Sequence, residues 1–109
     1  MKIITNQKGD EIFIKVIGEV DIDVVKPLWK ELSRVVKLNP KTVIMDLSQL
    51  STINSVGIGK ILAFYKELNK NNATLKIDGI QKNVYVLFTS TKMDMLIPIS
   101  MEQSICTEL

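Results

Sequence analysis

Histidine is absent from this 109-residue chain, and cysteine occurs once, at Cys106. The clustered His and Cys ligands of zinc and redox-metal sites are therefore missing, and the sequence predicts no metal and no cofactor. The usual base of a serine or cysteine hydrolase is missing as well. A single cysteine cannot form an internal disulfide, which is typical of proteins in a reducing compartment.

Long apolar runs and a surplus of one charge are also lacking. No run reaches the roughly 18 residues of a transmembrane helix, and residues 1–11 lack the apolar core and cleavage pattern of a signal peptide. The formal net charge is +2, because 14 basic side chains are interspersed with 12 acidic ones. This pattern shows no sustained basic face for nucleic acid or for a membrane surface. We therefore expect a cytoplasmic protein whose partners are proteins, with no nucleic acid and no direct membrane contact.

The residues that are present describe one ordinary globular domain. Hydrophobic residues make up 46% of the chain and charged residues 24%, which supplies enough apolar side chains for a single core. No internal repeat, low-complexity tract or linker interrupts the sequence. The predicted domain therefore spans residues 1–109.

The first third of the chain predicts a hairpin followed by a helix. A Lys-Gly-Asp turn separates a short N-terminal strand from the β-branched run EIFIKVIGEV, residues 11–20, and this arrangement is typical of a hairpin. Apolar residues spaced by three and four then predict a helix that begins near Val24, with Pro27 in its first turn. Trp29, the only tryptophan, lies on this apolar stripe, and we interpret it as a core residue.

The rest of the chain continues to alternate strands with helices. TVIMDL (42–47) is typical of a central strand with both faces covered, and a loop of small polar residues follows it. A helix then begins beside Ser55, TLKIDGI (74–80) predicts another strand, and a short third helix follows. MLIPI (95–99) predicts a last strand, which Pro98 places at an edge, before a C-terminal helical piece. The predicted fold is α/β, with an N-terminal hairpin, a mostly parallel central sheet of four to five strands and about four helices packed on it.

The stretch TINSVGIGKIL (52–62) places a hydroxyl beside two glycines at the start of a helix. It is not a phosphate-binding P-loop, because that motif requires a glycine in place of Asn54 and a hydroxyl in place of Ile61. The dinucleotide pattern G-x-G-x-x-G keeps only two of its three glycines. Nucleophilic catalysis by Ser55 needs a base, and Lys60 lies five residues along the helix, where its side chain points away. We therefore expect a protein that is not an enzyme.

Two interpretations of Ser55 stay open on the residue pattern. In the first turn of a helix, free N–H groups and the positive end of the helix dipole favour a phosphate on the serine hydroxyl. Gly57 and Gly59, which have no side chains, would then leave the turn accessible to a kinase. In the simpler interpretation, serine caps the helix and the small residues let the helix approach the sheet closely.

Three segments resemble STAS domains, specifically the bacterial anti-sigma factor antagonists. They are GEVD (18–21), IMDLSQLSTINSVGIGKIL (44–62) and VLFTSTKM (86–93), and their order and spacing match over nearly the whole chain. The most specific part is a strand ending in DLS, followed by a short loop and a helix start. That start reads NSVGIG here, where the family has an acid followed by Ser-Ser/Thr-Gly-Leu-Gly. The resemblance implies a single STAS-like domain.

The resemblance also implies a function. In such proteins the unphosphorylated domain binds an anti-sigma factor that is also a serine kinase, and this frees a sigma factor. Phosphorylation by the kinase ends the binding, and a serine phosphatase resets the switch. Carried over to this sequence, the phosphoacceptor falls on Ser55. The implied partner-binding residues are Asp21, Ile53, Asn54, Ser55, Val56, Gly57, Ile58, Gly59 and Lys60.

Two departures from the family pattern keep a second hypothesis open. Asn54 stands where the family usually has aspartate, and Val56 stands where it usually has a small hydroxyl or alanine. Asn54 retains the capping ability of aspartate but lacks a carboxylate that a kinase can recognise. Val56 adds a stiff apolar side chain. The alternative is a STAS domain without phosphorylation, which serves as a fixed scaffold subunit of a lipid-transport or stress-signalling complex.

Overall fold

A computed structural model describes residues 1–101 of the chain. Strands and helices alternate after an initial pair of strands. In chain order the elements are β1 Lys2–Lys8, β2 Glu11–Val20, α1 Val25–Lys37, β3 Thr42–Leu47, β4 Leu50–Ile53, α2 Ser55–Lys70, β5 Thr74–Ile80, α3 Lys82–Ser90 and β6 Ile99–Ser100. Two short 3₁₀ turns occupy Ile22–Val24 and Met93–Met95.

The sheet is mixed, with mostly parallel strands. β1 pairs antiparallel with β2 and forms the predicted hairpin. The other neighbouring strands run parallel, in the order β1-β2-β3-β5-β6, so that β3 is central and β6 lies at an edge as predicted. β4 pairs with the end of β2, and the register of this pairing shifts between Gly18 and Glu19. The α/β class and the mostly parallel sheet predicted from the sequence are therefore confirmed.

One additional strand lies where the sequence predicts only a loop. β4 occupies part of the small polar stretch after β3 and raises the number of strands in residues 1–101 to six. Its four residues show no alternation, because Leu50 and Ile53 at its ends are buried while Ser51 and Thr52 between them are exposed. A strand this short and this polar gives too weak a periodic signal to be identified from sequence.

The C-terminal part of the sheet is shorter than predicted. Of the stretch MLIPI, only Ile99 belongs to a strand, while Met95 ends a 3₁₀ turn. Within residues 1–101 the chain forms three α-helices, where about four helices were expected. The predicted C-terminal helical piece and Cys106 lie outside the described residues.

The hydrophobic core lies on one face of the sheet. In β3, Val43, Met45 and Leu47 are 0% exposed, whereas Ile44 and Asp46 between them are only half-buried. One face of this strand is therefore fully covered, and not both faces as predicted. Helix residues complete the core, among them Leu28, Leu32 and Val35 of α1, Ile61, Phe64 and Leu68 of α2, and Val84 and Phe88 of α3.

A polar contact ties the edge strand β1 to α1. The hydroxyl of Thr5 donates to Glu31 Oε2 at 2.6 Å, and Arg34 Nη2 donates to the same oxygen at 2.7 Å. The Arg34 guanidinium, helped by the Thr5 hydroxyl and opposed by partial burial, holds the pKa of the Glu31 carboxyl below its ordinary value. This contact fixes the position of α1 over the hairpin.

Candidate partner-binding site

The ends of β2 and β4 bring the predicted site residues to one edge of the sheet. Val20 and Ile53 are paired in the parallel register, and the Asn54 N–H donates to the Val20 carbonyl at 3.0 Å. Asp21 and Asn54 therefore follow two neighbouring strands. Loops at the carboxyl ends of parallel strands are where α/β proteins place their functional groups. The structure thus joins Asp21 to the helix start that contains Ser55.

Asn54, and not Ser55, is the N-cap of α2. Its side-chain oxygen accepts a hydrogen bond from the Gly57 N–H at 2.7 Å, and its carbonyl accepts from the Ile58 N–H at 3.0 Å. The extended backbone of Asn54 then gives way to a helix that begins at Ser55. Because asparagine does the capping, the interpretation in which Ser55 is present as a cap is not needed.

The outward side of the first turn of α2 is accessible. Ser55 and Gly59 are exposed, Val56 is 46% exposed, and Lys60 is half-buried. The first N–H groups of a helix have no acceptor within the helix, and the dipole places partial positive charge there. A phosphate on the Ser55 hydroxyl would find both features, so the geometry suits a phosphoacceptor.

The inward side of the same turn belongs to the core. Ile53 is 4% exposed and Ile58 is 5% exposed, and Gly57 is also buried. A Cβ atom on Gly57 would lie 2.8 Å from both Ile53 Cγ1 and Val20 Cγ1, which is closer than carbon atoms can approach. These three predicted partner-binding residues therefore lie beneath the accessible surface and position the start of the helix.

The two glycines of the motif have different surroundings. One interpretation of the sequence assigned both glycines to access for a kinase, and the other used the small residues for close approach of the helix to the sheet. Gly57 fits the second interpretation, because it lets α2 pack closely on β2 and β4. A Cβ atom on Gly59 would meet nothing within 4 Å. Only Gly59 leaves open space on the outside of the turn.

Asp21 borders the site and has a local structural role. Its carboxylate accepts a hydrogen bond from the Asp23 N–H at 3.0 Å, which caps the 3₁₀ turn before α1. The residue itself is exposed, and Ile22 next to it is 69% exposed. An acidic and an apolar side chain are thus both presented beside the start of α2.

Side-chain hydrogen bonds brace the loop that precedes the site. Asp46 accepts from the Ser48 N–H at 2.9 Å, so this carboxylate stabilises the turn after β3. Gln81 donates to the Ser48 carbonyl at 3.1 Å, and Asn83 donates to the Ser51 carbonyl at 2.7 Å. The start of α3 therefore holds β4 in place, and β4 leads directly into the site.

Sequence reasoning missed the contact between Trp29 and Lys60. Trp29 was predicted to be a core residue, and it packs against the core while remaining half-buried. The ammonium group of Lys60 lies 5.4 Å from the centre of its ring, a distance that fits a cation–π interaction. The two residues belong to α1 and α2, which pack side by side, and neither segment alone carries a signal for this contact.

Neither a metal-ligand cluster nor a membrane-spanning helix occurs among the described residues. Within residues 1–101, no group of three or more His, Cys, Asp or Glu side chains is placed to hold a metal ion. None of the helices in that part of the chain combines the length and the apolar character needed to cross a membrane.

A family model and several curated relatives match this sequence. The model described as the STAS domain matches residues 2–104. The intermembrane phospholipid transport system binding protein MlaB of Escherichia coli is 30% identical over 81 residues, covering 74% of this chain and 78% of MlaB. The anti-sigma-B factor antagonist of Staphylococcus aureus is 30% identical over 78 residues, covering 72% of each protein.

The anti-sigma factor antagonist SpoIIAA has the same fold. Its unphosphorylated form superposes with a TM-score of 0.80 at 17% identity, over 98% of this chain and 95% of SpoIIAA. The phosphorylated form of SpoIIAA from Bacillus gives a TM-score of 0.74 at 16% identity, over 98% of both chains. These structures show the shared fold, and the family model with the two curated relatives shows the membership. The chain belongs to the STAS domain family.

Proposed function

We propose that this STAS domain is an anti-sigma factor antagonist whose binding is switched by phosphorylation of Ser55. Unphosphorylated, it binds an anti-sigma factor that is also a serine kinase and frees a sigma factor in the cytoplasm. A serine phosphatase restores the binding form. The domain acts as a binding module and not as an enzyme. The observation that carries the proposal is the exposed Ser55 at the start of α2, where Asn54 already supplies the cap.

Two similar proteins support this choice of partner. The S. aureus relative is named an anti-sigma-B factor antagonist. SpoIIAA is named an anti-sigma factor antagonist, and its structure is known with and without phosphate. Because the fold carries many functions, the proposal also requires the site itself. Here that site is the outward side of α2, next to Asp21.

The proposed contact surface consists of the accessible residues of the predicted set. They are Asp21, Asn54, Ser55, Val56, Gly59 and Lys60. Val56, at 46% exposure, offers an apolar contact directly beside the acceptor hydroxyl. Ile53, Gly57 and Ile58 contribute indirectly, by fixing the position of the helix start.

The switch acts through the interface and not through the fold. A phosphate adds about −1.5 to −2 charges, and its interaction with an exposed helix N-terminus is worth only about 0.3 to 1 kcal/mol. Weakening a complex about a hundredfold requires about 2.7 kcal/mol. Placing a charged phosphate against an apolar contact such as Val56 costs enough through desolvation, whereas the dipole term is too small. The phosphorylated domain therefore stays folded and releases its partner.

A second candidate function is a scaffold subunit that is not phosphorylated. It is favoured by the 30% identity to MlaB and by Asn54, which lacks the carboxylate usual beside the acceptor. In this case the same surface would hold a permanent partner of a lipid-transport or stress-signalling complex. Ser55 would then be a small surface residue that lets the partner approach closely.

Phosphorylation by purified anti-sigma factor kinases from the source genome tests the proposal. The chain is incubated with each kinase and ATP. Mass spectrometry of the intact chain then counts the added phosphates, and fragmentation identifies the residue that carries them. We expect one added phosphate at Ser55, and none in Ser55→Ala. The matched control Ser51→Ala, in an exposed residue of β4, retains the modification. A phosphate mapped to Ser51 or Thr52, or no phosphate with any kinase, contradicts the switch. Stable co-purification of an unmodified chain with transport subunits supports the scaffold.

A further inference from the structure

Trp29 forms part of an open groove on α1. The fully buried residues of the same helix, Leu28 and Leu32, are 1% and 0% exposed, whereas Trp29 is only half-buried. Trp29 packs against the core with part of its side chain and leaves the rest accessible. The groove measures about 770 Å³, and its lining residues are Asp23, Lys26, Pro27, Trp29 and Lys30.

The groove carries a local excess of positive charge. Lys26 and Lys30 line it, and Lys60 reaches over the Trp29 ring from α2, 5.4 Å from its centre. Asp23 is the one carboxylate in the lining. Two lysines and one aspartate therefore line the groove and a third lysine lies over the Trp29 ring, although the sequence as a whole is almost balanced in charge.

Glu31, the only acidic residue within α1, does not reduce this excess. Its carboxylate accepts hydrogen bonds from Arg34 at 3.0 and 2.7 Å and from Thr5 at 2.6 Å. Those contacts place it toward β1, in an adjoining groove that Pro27 and Lys30 also line, and it is absent from the lining of the groove beside Trp29. Within residues 1–101, the ion pairs of the chain do not involve Lys26, Lys30 or Lys60, so these ammonium groups can pair with a docked partner.

We propose that this surface, the Trp29 groove (Asp23, Lys26, Pro27, Trp29 and Lys30, with Lys60 over the Trp29 ring), docks an acidic and partly apolar segment of the protein that also contacts Ser55. The ring of Trp29 and the ring of Pro27 accept an apolar side chain, and the lysines pair with carboxylates around it. Tryptophan is enriched among residues that dominate binding energy, and complementary charge accelerates association and selects the partner. The identity of that partner rests on the proposed function; the chemistry of the groove does not.

Lys60 connects the groove to the phosphoacceptor. It follows Ser55 by five residues of the same helix, which corresponds to about 7.5 Å along the helix axis. The two side chains point to different sides of α2, so the charged groups lie farther apart than this rise and are largely screened at physiological salt, where the screening length is about 8 Å. At low ionic strength, where the screening length reaches about 30 Å at about 0.01 M, a phosphate on Ser55 would repel an acidic segment bound beside Lys60. The groove thus gives the switch a salt-dependent electrostatic component in addition to the desolvation at Val56.

Titration with a synthetic peptide tests the groove. The probe is a short labelled peptide rich in glutamate and leucine, and the control peptide carries lysine in place of each glutamate. Binding is measured by the anisotropy of the label and by the emission of Trp29, which is the only tryptophan in the chain. We expect the acidic peptide to bind and to change Trp29 emission, and the lysine peptide to leave it unchanged.

A matched pair of charge reversals separates the groove from net charge. We expect the double variant Lys26→Glu/Lys30→Glu to bind the acidic peptide at least about tenfold more weakly than wild type. Lys66→Glu/Lys82→Glu changes the net charge equally at exposed positions outside the groove, and we expect less than about a twofold effect. Circular dichroism checks that both variants are folded. Three results would contradict docking at the groove. They are equal losses of peptide affinity in both variants, equal binding of the lysine and acidic peptides, and Trp29 emission that the acidic peptide leaves unchanged.

The two proposals can fail separately. If Ser55 is phosphorylated but the peptide does not dock at Trp29, the groove proposal is wrong and the phosphorylation switch stands. If the peptide docks but no kinase phosphorylates the chain, the switch is wrong and the groove proposal stands. If both proposals hold, Ser55→Asp lowers the affinity for the acidic peptide at low salt. The difference in affinity from wild type then shrinks as salt is added.

Discussion

The inward and outward sides of the first turn of α2 meet different demands. On the inward side, Gly57 lies so close to Val20 and Ile53 that an added Cβ would fall 2.8 Å from each. On the outward side, Gly59 has nothing within 4 Å of the same position, and Ser55 beside it is exposed. Two glycines in one short motif thus serve packing in one case and access in the other.

This difference explains how a charged group can be added without unfolding the domain. The inward side fixes the helix through buried contacts and through the Asn54 cap, so the helix start keeps its place. The outward side has few contacts to lose, because Ser55 and Val56 point to solvent. A modification there changes what can dock and leaves the core unaltered.

The largest effect on stability is expected from Gly57→Ala. The new methyl group meets two buried β-branched side chains, and overpacking of this kind costs about 1 to 3 kcal/mol. The matched control Gly59→Ala adds the same methyl group in open space and raises helix propensity, so it should stabilise the domain by about 0.5 to 1 kcal/mol. Urea unfolding followed by Trp29 emission measures both. If Gly57→Ala were as stable as Gly59→Ala, the packing role of Gly57 would be wrong.

A somewhat smaller loss is expected from Asn54→Ala. This change removes the hydrogen bond to the Gly57 N–H, and losing a cap costs about 0.5 to 2 kcal/mol. Asn54→Asp keeps the acceptor and places a negative charge at the positive end of the dipole, so it should be at least as stable as wild type. Thermal unfolding distinguishes the two variants. Equal stability of Asn54→Ala and wild type would show that the cap does not anchor the site.

The smallest effect concerns Glu31, which lies away from the turn and links α1 to β1 through the Thr5 hydroxyl. The pKa of Glu31 is lowered in the folded state, so its contribution is present above the unfolded pKa and is lost as pH falls through the folded pKa. Glu31→Gln should therefore lower the free energy of unfolding by less than about 1 kcal/mol at neutral pH and flatten the decline in acid. Unfolding curves of wild type and Glu31→Gln from about pH 7 to about pH 3 measure this pH dependence of stability. A loss in Glu31→Gln that is as large in acid as at neutral pH would contradict the assignment.

Most of the framework follows from local sequence patterns, whereas the surface depends on tertiary contacts. The hairpin, α1, β3, α2 and β5 have regular periods that the sequence makes visible. β4 lacks such a period, since its two buried residues stand at its ends. Trp29 follows the apolar stripe of α1 but stays half-buried, because only the packing of α1 against α2 determines how far that stripe is covered.

The site residues were located by a family resemblance, which assigns positions but not their exposure. Ser55 and Val56 face outward, while Ile53 and Ile58 are buried under them. Helix and strand geometry directs residues that are close in sequence to opposite sides, one buried and one exposed. The family resemblance assigns all of them to the same site and does not distinguish these sides. The basic cluster beside Trp29 was missed for a related reason, because Lys60 joins it from another helix.

The most direct test of the switch is the affinity of an anti-sigma factor kinase for three forms of the domain, measured by isothermal titration calorimetry. Ser55→Ala removes the hydroxyl without adding charge, and we expect it to bind as wild type does. Ser55→Asp should bind more than about tenfold more weakly, a difference of about 1.4 kcal/mol, while its free energy of unfolding does not fall. Equal affinities for wild type and Ser55→Asp would contradict the claim that charge at the start of α2 controls docking.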